Sequence, residues 1–221
     1  MRARALVAAG LVALAAGCGT GSPANAPGRG LKEDDQRWAE GALPTDAAVP
    51  DSWDVGADDR GAALDDCDAI DLSDLELTGE AVATYSSGEV LLAVAGTQVF
   101  PTAEDASTAV TRGDDAAWRA CLEEEVQEAF ESDDEGVVDL KATVTDPPGM
   151  GDDVRTARLT GTYVAGEQEL DAAIDVVRLR RDRGVFTIVA AGLDEEFPPD
   201  VLEALVSDFD ERAVEKPPPP D

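Results

Sequence analysis

Alternating apolar and polar positions divide the chain into strands interrupted by two stretches of helical period. Leu77 to Tyr85 and Glu89 to Phe100 are β-rich runs separated by Ser86-Ser87-Gly88, the chemistry of a hairpin turn. Past this point the period changes. Trp118, Cys121, Leu122, Val126, Ala129 and Phe130 recur at three- and four-residue spacing and form one apolar helix face. Thr102-Ala103-Glu104-Asp105 opens that region in the manner of a capping box. Strand patterns return at Val137 to Thr145, Val154 to Ala165, Leu170 to Arg181 and Gly184 to Leu193, broken at Pro147-Pro148-Gly149, Gly166-Glu167 and Asp182-Arg183-Gly184. Asp200 to Val214 is a last amphipathic helix with Val201, Leu202, Leu205, Val206 and Phe209 on one side. This order predicts an α+β fold, a meandering antiparallel sheet of about six strands with two or three packed helices. There is no internal repeat.

The remaining segments are read by their composition. Leu31 to Glu40 predicts a short helix, Gly41 to Gly56 a Pro-punctuated lead-in, and Asp58 to Leu77 an Asp-rich stretch that carries Cys67. Trp38 and Trp53 fall outside the predicted regular core, where they would either cap the sheet or line a binding groove. Upstream, Arg2 and Arg4 precede the apolar run Ala5 to Ala16, the layout of a signal peptide. That run is shorter than the roughly 20 residues of a membrane-crossing helix. Ala15-Ala16-Gly17-Cys18 resembles the bacterial lipobox, which implies a diacylglycerol on Cys18 and cleavage just before it; an ordinary secretory signal with an incidental Cys is the alternative. The chain is expected to divide into a signal peptide (1–17), a Gly- and Pro-containing tether (18–30), one extracytoplasmic domain (31–215) and a Pro-rich tail (216–221).

Charge narrows the partners. Removing residues 1–17 leaves 15 basic against 48 acidic side chains, a net charge of −33. Such a surface repels nucleic acid and anionic headgroups and favours cations or basic proteins. A high-salt habitat or a high-GC coding composition would also produce it. The 43% hydrophobic content argues for a packed core rather than a disordered chain.

Of three cysteines, Cys18 is assigned to lipid, leaving Cys67 and Cys121 as a pair for an oxidising compartment. A bridge between them would close a loop worth roughly 4 kcal/mol in the chain-entropy model. Two buried thiols are the alternative, and a metal pair lacks both His and a CxxC.

With no His in the chain, a His-based triad, an imidazole base and a His-liganded zinc are excluded. No GxSxG, SxxK, Walker or GxGxxG pattern occurs, so no cofactor is expected. Paired carboxylates remain as a catalytic option, but so many acids pair by chance. Glu131-Ser132-Asp133-Asp134-Glu135-Gly136 imitates a calcium loop, yet its twelfth position is Ala142 where a bidentate Glu is needed. Asp65, Asp66, Asp68 and Asp71 read as a solvated loop, with weak Ca²⁺ binding as the alternative.

The basic residues concentrate at Arg155, Arg158, Arg178, Arg180, Arg181 and Arg183. If Gly166-Glu167 is a two-residue hairpin loop, Arg158 faces Asp175, Arg180 faces Asp153, and Arg155 faces Arg178. The like pair should attract a negative group: a carboxylate from an acidic helix such as Glu123 to Glu125, or a bound anion.

The lipobox at Cys18, the segment Leu43-Pro44 to Trp53, Cys67 before the first hairpin, Phe100-Pro101-Thr102-Ala103-Glu104-Asp105-Ala106, and Cys121 in a helix together resemble a group of actinobacterial lipoproteins. Their exported domains are similar to the PknH-type sensor domain and the PsbP-like fold, and the likeness spans about Leu43 to Phe209. Sensor-type members can carry a second disulfide, for which this chain has no cysteines. The resemblance implies a binding or sensing role in the cell envelope and no specific ligand. Together with the lipobox and the charge, the expectation is a non-enzymatic binding or sensor-like module, lipid-anchored at Cys18 on the outer face of the cell membrane, with a small molecule, cation or basic protein as partner. The competing functions are a carboxylate-dependent hydrolase of envelope polysaccharide and a structural envelope protein without a small ligand.

Overall fold

The computed structural model of the chain describes residues 30–58, 69–88, 90–130, 135–145, 151–166 and 168–218. Among the described residues, seven strands form one antiparallel sheet: β1 (Asp54–Asp58), β2 (Gly79–Ser87), β3 (Leu91–Val99), β4 (Glu135–Thr145), β5 (Asp153–Ala165), β6 (Gln168–Arg181) and β7 (Gly184–Leu193). Among the described residues the helices are α1 (Glu33–Ala42), α2 (Ala103–Thr111), α3 (Asp115–Phe130) and α4 (Pro199–Glu215), with a 3₁₀ turn at Asp46–Ala48. The fold is therefore α+β, as the alternating pattern indicates, with one strand and one helix more than expected.

The expected single meander is in fact two. The strand order is β1-β2-β3-β7-β6-β5-β4, so β3 leaves the first meander through α2 and α3, reaches the far edge, and β4 to β7 fold back to meet it. The physical reason lies in β3 and β7. Both are buried along almost their whole length, and only central positions can bury both faces of a strand.

The single helical region expected after Thr102 is two helices. Thr102 caps α2, its hydroxyl accepting from the Asp105 amide at 3.1 Å and donating to the Asp105 carboxylate at 2.8 Å. The chain then breaks at Gly113, whose φ of +82° suits glycine, and Asp114 restarts it by accepting from the amides of Ala116 and Ala117 at 3.0 and 2.9 Å.

Helices cover both faces of the sheet. On one, Trp118, Cys121, Leu122 and Val126 of α3 pack on Leu159, Ile174, Val176 and Val94, while Ala106, Ala109 and Val110 of α2 pack on Phe100 and Val185. On the other, α1 and α4 cover Tyr85, Leu179, Phe186 and Ile188. Phe209 of α4 stacks on Phe186 with ring centroids 4.1 Å apart, and Trp53 meets Phe197 edge-on at 5.3 Å.

Candidate functional site

The second face is not fully closed. α1 and α4 run antiparallel across it, tied where Arg212 donates to the Gly41 carbonyl at 3.1 Å and where the Trp38 indole donates to the Lys216 carbonyl at 2.5 Å. Between them lies a cleft of about 580 Å³ walled by Asp34, Arg37, Trp38 and Gly41 of α1 and by Glu211, Arg212 and Glu215 of α4. That volume falls in the range of small-molecule sites, roughly 300–1,000 Å³.

Local sequence explains the opening. Trp38 reaches the sheet because residue 184 is glycine: a Cβ there would lie 2.4 Å from the far edge of the indole. Its ring is thereby fixed at both edges, at Gly184 and at Lys216. Gly41, one turn on, offers no side chain, and a Cβ at that position would touch nothing within 4 Å. The cleft is thus floored by one aromatic ring and one missing side chain.

α1 itself is held by a buried ion pair. Arg183, in the β6–β7 turn, donates to Asp35 at 2.8 Å and to the Phe100 carbonyl at 2.6 Å; Asp35 and Arg183 are 2% and 6% exposed. Burial pushes the Asp35 carboxyl up, but hydrogen bonds from Arg183 and Thr78 outweigh it and hold the group below the usual carboxylate range. Deeper in the same face, burial, and then the nearby Asp208, push the Tyr85 phenol up; its hydroxyl donates to the Pro44 carbonyl at 2.6 Å.

The arginine register across β5 and β6 is as the two-residue loop requires. Ala165 faces Gln168, and Gly166 takes the positive φ of +62° that such a loop needs. Arg158 pairs with Asp175 at 2.9 and 3.0 Å, and Arg180 with Asp153 at 2.5 Å. Burial raises the Asp153 carboxyl, and hydrogen bonds from Arg180 and Ser107 more than reverse it.

Arg155 faces Arg178, on the face covered by α3. Arg155 reaches the helix break, donating to the carbonyls of Arg112 and Gly113 at 3.2 and 2.6 Å, lying 3.8 Å from Asp115, and stacking over Trp118 at 5.5 Å. The break between α2 and α3, absent from the expected continuous helix, exposes the carbonyls that make this possible. Glu123 accepts from the Ala142 amide of β4 at 2.9 Å. Arg178 is 4% exposed and borders a cavity of only about 10 Å³ with Ile70, Trp118 and Cys121.

Of the tryptophans outside the expected core, Trp53 caps the sheet and Trp38 does both things foreseen, packing on β7 and lining a groove. Glu211, Glu215 and Gly41 drew no notice in the sequence. Cys121 is buried, while Cys18, Cys67, Asp65, Asp66, Asp68 and most of the calcium-like loop at 131–136 lie outside the described residues. Asp71 accepts from the Ser73 hydroxyl and amide, which hold it below the usual carboxylate range. Among the described residues no group of three His, Cys, Asp or Glu could hold a metal ion, and no helix is long and apolar enough to cross a membrane.

No family model and no curated protein matches the chain. Among solved structures it is similar to the extracellular domain of PknH from Mycobacterium tuberculosis, at 11% identity over 63% of this chain with a TM-score of 0.39. The match takes in 66% of that domain, just under two thirds. It is also similar to a putative uncharacterized protein, the Rv0999 ortholog from Mycobacterium smegmatis, at 10% identity over 76% of this chain and 90% of that one, with a TM-score of 0.38.

Proposed function

We propose that the chain is a non-enzymatic binding module of the cell envelope, tethered through Cys18, with the α1/α4 cleft as its ligand site. The cleft between Trp38 and Gly41 carries this reading, because a ring held at both edges beside open space is a preformed contact surface. The Cys18 anchor and the tether to residue 30 would place α1, the first helix of the domain, on the membrane side. A Cys67–Cys121 bridge fits the same picture, since Ile70, three residues beyond Cys67, packs in one cluster with Cys121.

A hydrolase would need a carboxyl kept protonated near neutral pH. Asp35, Asp71, Asp74 and Asp153 are displaced the other way, below the usual carboxylate range. An anion at Arg155 and Arg178 is the weaker site, for the space beside Arg178 holds about one water.

Gly41→Leu tests the proposal, since the longer side chain fills the cleft from a position where its Cβ meets nothing. Any ligand that raises the melting temperature of the natural chain should lose that effect in the variant, with the ligand-free melting temperature preserved. Retained ligand-induced stabilisation would move the site elsewhere. Cys18→Ser should separately release the protein from membranes, and undiminished membrane association would remove the anchor.

A further inference from the structure

We infer that the α1/α4 cleft takes an organic cation, an amine or quaternary ammonium group seated between the Trp38 ring and the carboxylates of α4. The inference rests on the cleft being the ligand site. Of the cations in its wall, Arg37 folds back on Glu33 and Asp34 at 2.9 and 2.7 Å. Arg212 turns into the helix seam, donating to Asp208 at 3.1 Å and to the Gly41 carbonyl at 3.1 Å. Glu211 and Glu215 stand one turn apart on α4, both exposed and both in the cleft wall. α4 also ends here, so the carbonyl-rich, negative end of its dipole borders the same space.

The indole adds a third attraction. Among side chains it is the best π partner for a cation, and a ring fixed at Gly184 and Lys216 requires no ordering when the ligand arrives. A net charge of −31 over the whole chain concentrates cations around the protein before any contact is made. Lys216 is the one wall cation that no described ion pair draws away from the cleft, so a ligand's charge is expected nearer Glu211 than Glu215, which adjoins it.

The experiment uses the full chain labelled with ¹⁵N at its three tryptophans, with the Trp38 indole signal assigned through Trp38→Phe. Benzyltrimethylammonium, benzyl alcohol and phenylacetate are titrated as cationic, neutral and anionic probes of one shape. The expected result is a saturable shift of the Trp38 signal by the cation, with affinity about tenfold above that of the alcohol, the sum of one cation–π contact and one exposed ion pair. The double variant Glu211→Gln/Glu215→Gln should lose most of that advantage while its alcohol affinity stays the same.

Equal affinity for alcohol and cation, or preference for phenylacetate, would overturn the cation while leaving the cleft a binding site. A cation effect that survives the double variant but vanishes in about 0.5 M salt would be diffuse attraction to the acidic surface, and would overturn it too. A Trp38 signal unmoved by all three probes would overturn both this inference and the reading of the cleft.

Discussion

The two faces of the sheet are closed by different means, and the difference shows where a ligand can enter. Under α2 and α3 the space is filled: Trp118, Cys121 and Leu122 meet β5 and β6 directly, Ile70 and Leu72 pack in from the preceding segment, and Arg155 is absorbed by the helix break. Under α1 and α4 the core is more aromatic, yet the helices touch through a few polar contacts and leave a cleft at one end. Dense packing makes a face stable, whereas a stacked core beneath loosely joined helices leaves room for a ligand without weakening the sheet. The comparison breaks if perturbing the aromatic face proves no more local than perturbing the other.

The largest effect is expected at that aromatic core. Phe209→Ala removes a fully buried ring from its stack on Phe186 and should cost about 3–5 kcal/mol in chemical denaturation. Leu122→Ala, equally buried under α3, should cost about 2–5 kcal/mol. If the first variant unfolds only α4 and the second unfolds the whole sheet, the faces differ in cooperativity as well as in packing.

Asp35→Ala comes next. It strands the Arg183 guanidinium in a buried site and should cost on the order of 3 kcal/mol. Hydrogen exchange should place the loss in α1, the helix that forms one wall of the cleft. The same pair sets a pH dependence. With its folded pKa below the unfolded one, the Asp35 carboxylate contributes stability above about pH 4 and loses it as the pH falls further. The variant should therefore show a shallower acid limb than the natural chain, and identical limbs would remove the ion pair as the tether of α1.

Arg155→Ala probes the closed face more gently. It gives up a hydrogen bond to the Gly113 carbonyl and a stack on Trp118, but relieves the like charge of Arg178, for a net loss of about 1–2 kcal/mol. Unchanged stability would mean that the helix break, rather than Arg155, holds that corner.

Much of the closed face was legible from the sequence. The pair Gly166-Glu167 indicated a register that carries Arg155 to Arg178 and Arg180 to Asp153, because the side-chain period of two leaves no freedom once the loop length is set. The spacing of Trp118, Cys121 and Leu122 likewise named their buried face correctly. β1 escaped because Asp54–Asp58 is short, contains a glycine, and carries its one large apolar residue, Val55, exposed at an edge. The meeting of β3 and β7 had a signal that alternation hides: near-continuous apolar runs of small residues, the mark of strands covered on both sides. The cleft had none, since it joins helices more than 150 residues apart and is shaped by the absence of a side chain at Gly41.

That absence gives the smallest effect. Gly41 lies in the last turn of α1, is exposed, and adopts no left-handed conformation, so nothing in its backbone calls for glycine. Alanine there would reduce the freedom of the unfolded chain and improve helix propensity, contributing up to about 1 kcal/mol of stability. Its methyl would extend into open space rather than into a neighbour. Gly184→Ala makes the opposite change on the same face, because its Cβ would collide with the Trp38 ring and push the indole from its seat. If both are measured by thermal denaturation, Gly41→Ala should raise the melting temperature slightly and Gly184→Ala lower it. A loss of stability in Gly41→Ala would mean that α1 and α4 close on each other in solution and that the cleft is not open when empty.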